Sequence, residues 1–233
     1  MFDKLRKAFS RDAGKRDAVE GTPSQPASQL QFTVSQWAQS HGFAVQMTGS
    51  GNTVKMQGKV HGKPWLMEAG TPTRNYIMGD ELRARAEIGV NEDAAVLVIN
   101  RPLKEALEAK AYNMITDDLQ TTADPNLPEE MRWLAMYDEV GWDSLPMDFW
   151  NRYAILTDRR ENALAWIDPQ LAEMMLEWPE PGPSKDVPFM LLVLRGKAYM
   201  RMEYTPPTAQ VLEHAAQIFT SACESAIGGL SVN

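Results

Sequence analysis

The sequence predicts an α+β protein of two lobes, each an antiparallel sheet packed with helices, preceded by an amphipathic helix. Three observations carry this prediction. Apolar-rich stretches flank two Gly-Lys turns, His61-Gly62-Lys63 and Arg195-Gly196-Lys197, as the arms of hairpins do. In residues 81–88, Glu81, Arg83, Arg85 and Glu87 alternate with Leu82, Ala84, Ala86 and Ile88, which is the period of a half-buried strand. Between and after these strands, segments of helical period begin at recognisable starts, among them Pro102 and Asp168-Pro169.

In chain order, Phe2, Leu5 and Phe9 fall at helical spacing while Lys4, Arg6 and Lys7 fall largely elsewhere on the wheel, so residues 1–10 read as a short basic amphipathic helix. Gly14, Gly21, Pro23, Ser24, Pro26 and Ser28 make residues 13–29 a linker by composition. The first lobe is expected over residues 30–120. Phe32, Val34, Trp37 and Ala38 predict a helix over 32–41 stopped by Gly42, and Phe43, Val45 and Met47 then alternate as a strand. The first hairpin follows, with Gly58 as a bulge position. Residues 94–99 form a continuous apolar run, the pattern of a deeply buried strand, and Pro102 opens a helix through Leu103, Leu107, Tyr112 and Ile115.

Pro125, Pro128, Gly141 and Pro146 mark residues 121–147 as a connector containing one short helix over 129–136. The second lobe, residues 148–233, starts with a strand over 153–157. Asp158, followed three residues later by Glu161, reads as a capping box. Asp168 is an N-cap with proline at the first helical position, opening a helix through Leu171, Met174, Met175 and Trp178 that stops at Pro179. After the second hairpin, a last helix over 208–226 is expected to end at Gly228-Gly229. The two hairpins share an aliphatic residue, a cation, Gly-Lys, a small residue and an aromatic. Duplication explains this, and so does common turn chemistry, because glycine tolerates positive φ.

Phe149, Arg152, Tyr153, Ile155, Asp158, Ala163, Asp168-Pro169 and Leu171, together with the hairpin after them, resemble a pattern in an uncharacterised bacterial family of unknown function. The resemblance covers the last third of the chain and implies a lobe of this kind. It brings no activity and no site residue.

With 44% hydrophobic and 23% charged residues in 233, composition excludes wholesale disorder, collagen, a coiled coil and a disulfide scaffold. The single cysteine, Cys223, cannot form an internal disulfide, and the longest apolar run, 187–194, is far short of the ~20 residues of a membrane span. No secretory signal follows Lys4, Arg6 and Lys7, so the expected location is the cytoplasm. The net charge of −8 is uneven, with six basic against two acidic residues in 1–16 and eight against nineteen in 111–233. So acidic a C-terminal half repels a phosphate backbone, and no nucleic-acid partner is expected.

Familiar chemistry is missing from the sequence. Gly49-Ser50-Gly51 lacks the third glycine of a dinucleotide loop, and no Gly-Lys pair precedes the serine or threonine of a P-loop. No serine-hydrolase elbow, zinc-binding helix or Cys-x-x-Cys pair occurs, and neither a metal site nor a cofactor is implied. His41 reads as a cap of its helix, His61 as a turn residue, His214 as a helix residue and Cys223 as a small core residue. The acidic pairs Asp117-Asp118, Glu129-Glu130 and Glu173 with Glu177 read as helix-end and solvated-face residues.

Two groups of residues stand out. Arg83 and Arg85 project from one strand face, with Arg74 and Arg101 at neighbouring strand ends, so that with Tyr76 they form a candidate site for an anion. The competing arrangement is cross-strand ion pairing with the acids of the same face. Trp133, Met136, Tyr137, Trp142, Met147, Phe149 and Trp150 cluster around the connector, either as a partner groove or as the seam between lobes. The leading functional reading is a binding or accessory protein without catalysis. It engages a protein partner or, weakly, the inner membrane surface through Phe2, Leu5, Phe9, Lys4, Arg6 and Lys7. The alternative is an enzyme or small-ligand binder that holds an anionic substrate against Arg74, Tyr76, Arg83, Arg85 and Arg101.

Overall fold

A computed structural model describes residues 27–48, 53–118 and 129–231. The amphipathic segment expected from Phe2, Leu5, Phe9, Lys4, Arg6 and Lys7, most of the linker, and Gly49-Ser50-Gly51 lie outside these residues.

In chain order the elements are α1 (Ala27–Ser40), β1 (Ala44–Thr48), β2 (Thr53–Val60), β3 (Lys63–Gly70), β4 (Glu81–Ala86), β5 (Ala95–Asn100), α2 (Arg101–Asp118), α3 (Glu129–Met136) and β6 (Asp138–Val140). They continue with α4 (Met147–Arg152), β7 (Tyr153–Thr157), α5 (Arg160–Trp166), α6 (Pro169–Leu176), β8 (Phe189–Leu194), β9 (Lys197–Glu203) and α7 (Ala209–Gly229). The fold is α+β, and its strands form one antiparallel sheet in the order β1-β2-β3-β4-β9-β8-β5-β7-β6. The strands expected in two lobes therefore share one ladder. They meet where β4 pairs with β9, and β5 crosses to lie between β8 and β7.

Alternation gives each strand two faces, and each face has its own core. On one face Val96 and Val98 of β5, Leu191 and Val193 of β8, Met200 and Met202 of β9 and Met56 of β2 pack beneath α1, α5, α6 and α7. On the other face, Leu97, Ile99, Met190 and Leu192 pack with Leu103 and Leu107 of α2 and Met131 of α3. The helices of this second face sit over β5, β7 and β8, and Gln57 and Arg85 stay exposed on β2 and β4. From the connector, Phe149 is fully buried, Trp142 and Trp150 pack against the first core, and Trp133 and Tyr137 against the second, while Met136 and Met147 remain exposed.

Several local expectations are corrected. Helix α1 begins at Ala27, so Ala27, Ser28 and Gln29 belong to it and not to the linker; none of the three is a helix breaker. Gly58 is no bulge, since the β2–β3 register runs unbroken through Gly58↔Trp65. Its role is steric, because a Cβ there would overlap the Trp65 indole. Asp158 does not cap α5. The cap position is Arg159 without a side-chain acceptor, and the Arg159 N–H donates instead to the Thr157 hydroxyl at 3.2 Å. Helix α6 ends at Leu176, short of Trp178, and α7 runs through Gly228 and Gly229, where a Cβ on Gly229 would strike the Ala165 backbone. Neither β6 nor α4 was predicted.

Other local readings agree with the structure. The Asp168 carboxylate accepts from Leu171 N–H at 2.7 Å, His41 Nδ1 lies 2.9 Å from the Trp37 carbonyl at the end of α1, and Cys223 is buried. Both hairpins close on two residues of positive φ, His61-Gly62 (47° and 76°) and Arg195-Gly196 (51° and 72°), the turn whose twist matches that of the strands.

The Gly58–Trp65 contact gives a direct test. Gly58→Ala should destabilise the protein by about 1–3 kcal/mol through overpacking, and adding Trp65→Leu should recover part of that loss in a urea-melt double-mutant cycle. Additive losses would rule out the steric explanation.

Candidate functional site

The uncovered part of the second face is organised by strand register. One row runs Lys55–Glu68–Arg83–Arg201–Met190 across β2, β3, β4, β9 and β8, and the next runs Gln57–Leu66–Arg85–Tyr199–Leu192. Arg83 and Arg201 are thus direct cross-strand neighbours of like charge, an arrangement that is destabilising by itself. Glu81, two residues before Arg83, resolves it. Its carboxylate takes Arg201 Nε at 2.8 Å and Arg83 at 3.4 Å, and it also accepts the Thr73 N–H at 2.5 Å. Although Glu81 alternates with apolar residues, the face it shares is not solvated there. It is 1% exposed.

Glu68 extends the chain of charge by pairing with Arg83 Nε at 2.6 Å and Lys55 Nζ at 2.8 Å. At the other end stands Glu130, in the first turn of α3 as expected but 1% exposed, so it is not merely an acid near a helix dipole. Its Oε1 receives Arg74 Nε at 2.5 Å, Arg201 at 2.8 Å and the Tyr76 hydroxyl at 3.1 Å, and its Oε2 has no partner. Burial pushes the Tyr76 phenol well above its ordinary range, and the Glu130 charge adds to the effect. Tyr76 therefore stays a neutral donor. These bonds pin α3 to the sheet.

Between α3 and the open rows lies a cleft of about 530 Å³. Its charged side carries Lys55, Arg74, Arg83, Arg85, Arg195 and Arg201 with Glu68, Glu129 and Glu130, and its apolar side carries Leu66, Trp133, Met190, Leu192 and Leu194. Of the cations, Lys55, Arg74, Arg83 and Arg201 are held in the ion pairs described above. Arg85 and Arg195 are exposed and have no ion pair among the described residues. Glu87, which the sequence places on the face of Arg85, pairs with Lys197 at 3.0 Å.

Of the five residues proposed from the sequence, Arg74, Arg83 and Arg85 line the cleft and Tyr76 supports it from beneath through Glu130. Arg101 does not join them. It donates to the Trp150 carbonyl and to Glu139 at 2.9 Å, which turns it toward β6 and α4. Sequence reasoning missed Lys55, Glu130, Arg195 and Arg201, and it named Trp133 only with the aromatic cluster of the connector and not with the arginines. Arg201 alternates with Met200 and Met202 just as Arg83 does with its neighbours, and that signal was available within β9. Among the described residues, no three His, Cys, Asp or Glu side chains are placed to hold a metal, and no helix is long and apolar enough to cross a membrane.

Two predictions follow from the charge chain. Removing the Glu130 carboxylate leaves Arg74 and Arg201 facing each other in a half-buried site, so Glu130→Ala should cost about 2–4 kcal/mol in urea melts. A loss below about 0.5 kcal/mol would exclude the anchoring role. Burial opposes ionisation of Glu68, but its hydrogen bonds and charge contacts with Lys55 and Arg83 outweigh burial and hold its carboxyl below the ordinary value. The folded value thus lies below the unfolded one. The stabilisation is complete above the ordinary carboxylate range and is lost as pH falls through the lowered folded value. Glu68→Gln should therefore be less stable than wild type at neutral pH, with the gap closing toward about pH 3. A constant gap would exclude this linkage.

No family model and no curated protein matches the chain. Among solved structures, its fold is similar to that of the mycobacterial trehalose monomycolate transport factor A, TtfA, with a TM-score of 0.51 and 9% identity over 88% of this chain and 98% of that one. At that identity the likeness concerns the fold, and it is in keeping with an α+β chain.

Proposed function

We propose that the chain is a binding or accessory protein, without chemistry of its own, whose working surface is the cleft between α3 and the open sheet face, and that its ligand is anionic. The observation that carries this reading is the contrast between neighbouring cations: four are neutralised by carboxylates, while Arg85 and Arg195, at the same cleft, have no ion pair among the described residues. A guanidinium kept free beside an apolar wall is suited to taking a carboxylate or phosphate through paired hydrogen bonds. The volume falls within the usual range of small-ligand sites, roughly 300–1,000 Å³. Of the three cleft carboxylates, Glu68 and Glu130 are engaged in ion pairs and Glu129 is exposed at the rim, and the described lining includes no histidine, cysteine or serine. Such a site is equipped to hold a ligand more than to transfer protons or attack one.

This reading takes the ligand-binding half of the sequence-based alternative and keeps the accessory role of the leading one. TtfA is named a transport factor, and an accessory role of that kind is compatible with a cleft that binds without reacting. The basic amphipathic helix expected at residues 1–10 fits weak attachment to an anionic surface, which would hold the cleft near a membrane-associated partner.

Thermal unfolding against a panel of anionic and neutral metabolites tests this. A ligand at a hundredfold excess over its Kd adds about 2.7 kcal/mol to stability, roughly 5–10 °C for a domain of this size. An anion should raise the midpoint of wild type and of Arg101→Ala, whose side chain lies away from the cleft, but not of Arg85→Ala/Arg195→Ala. Equal shifts in all three proteins would overturn the assignment.

A further inference from the structure

The proposed cleft has two unlike sides, and their arrangement restricts the ligand further. We infer that the cleft takes a single-chain anionic amphiphile, with its head on Arg85 and Arg195 and its alkyl chain along β8 beneath Trp133; the inference rests on the anion-binding reading above. Leu194, Leu192 and Met190 are successive side chains on one face of β8 and all three line the cleft, Leu194 partly exposed and Leu192 and Met190 showing it only their edges at 4% and 5% exposure. From Leu194 to Met190 this stripe runs roughly 13 Å at strand rise, the reach of a medium-length chain. Its two ends differ in surroundings. Leu194 precedes Arg195 in the hairpin turn, so the charged head position and the start of the apolar stripe are adjacent in the chain. Met190 lies at the far end, 5% exposed and facing Arg201, whose charge is already neutralised by Glu81 and Glu130.

The cross-strand row adds a second constraint. Arg85 pairs with Leu66 on one side and Tyr199 on the other, and Tyr199 pairs with Leu192. Arg85 therefore stands roughly two strand spacings, or about 10 Å, from the apolar stripe. A ligand with charge along its whole length would bring charge against Leu192 and Leu194. A purely apolar one would leave two guanidiniums without an anion. Only a molecule with charge at one end matches both sides.

Titration calorimetry on the full chain tests this with acetate, hexanoate, octanoate, octanol and inorganic phosphate, all kept below aggregating concentrations. Affinity should rise from acetate to octanoate by up to roughly fourfold per methylene buried. Octanol should bind at least tenfold more weakly than octanoate, and this difference should vanish in Arg85→Ala/Arg195→Ala. Leu194→Ser, at a partly exposed position, should flatten the chain-length dependence while acetate binding persists. A bromo-octanoate should quench tryptophan emission less in Trp133→Phe than in wild type. Acetate or phosphate binding as tightly as octanoate, with the same arginine dependence, would overturn the amphiphile and leave the anion-binding cleft standing. Octanol binding as tightly as octanoate would overturn the charged head. Binding of every anion unchanged in Arg85→Ala/Arg195→Ala would overturn both readings.

Discussion

A carboxylate removed from water must be met by cations or hydrogen-bond donors, and this chain removes two of them, Glu81 and Glu130, on the same face of its sheet. Much else on that face follows. Arg201 serves both carboxylates, Nε to one and a terminal nitrogen to the other, and so ties β4, β9 and α3 together through a single guanidinium. The planar fork of arginine allows this, while a lysine in that place would offer one point charge. Because β4 lies in the first half of the chain and β9 in the second, buried ion pairs fall on the ladder that joins the halves. Apolar burial holds the two sheet faces to their helices. The carboxylates fix where α3 sits on the sheet.

That placement creates the cleft. Helices α2 and α3 cover β5, β7 and β8, whose side chains toward them are apolar, whereas β2, β3, β4 and β9 turn charged residues to the same side. Where a covered, oily region borders an open, charged one, the border itself is amphiphilic. Trp133 on α3 and Leu192 on β8 lie at its apolar edge, and Arg85 and Arg195 at its charged edge. The pattern needs no special loop. It results from helices that cover only part of a nine-stranded sheet.

The fold class was legible because its signals are local. The alternation at Glu81 to Ala86, the two positive-φ turns and the cap at Asp168 each fit within a few residues, and each is present in the structure. The site was legible only where it shared those local signals. Arg83 and Arg85 are on one face because strand period puts them there, but nothing near them announces that β9 lies alongside with Arg201 opposite Arg83. Register between strands more than a hundred residues apart is a property of the whole fold. Period likewise reveals which residues share a face without revealing whether water reaches it, so Glu81 and Glu130 passed for surface acids. Arg101, at the head of a helix after a strand, could turn either way, and the Trp150 carbonyl and Glu139 decided its direction. Gly58 was read as a backbone irregularity, when the deciding contact came from a cross-strand tryptophan.

Whole-chain charge is a poor guide to what such a protein holds. The net charge of −8 argues against extended polyanions, because a long charged partner feels the sum of the surface within a Debye length or so. A small ligand in a cleft feels mainly the groups that line it, close by and partly shielded from water. There the cations outnumber the carboxylates, and two of them, Arg85 and Arg195, have no ion pair among the described residues. Acids were available nearby. Glu87, on the strand of Arg85, pairs with Lys197, and Glu68 on the next strand is taken by Lys55 and Arg83. Among the described residues, the unpaired guanidiniums therefore result from how the ladder distributes its partners and not from a shortage of negative charge. On the proposed reading, an acidic exterior with a locally cationic, half-apolar cleft would discriminate by size, turning away long polyanions while leaving the cleft open to a small anion.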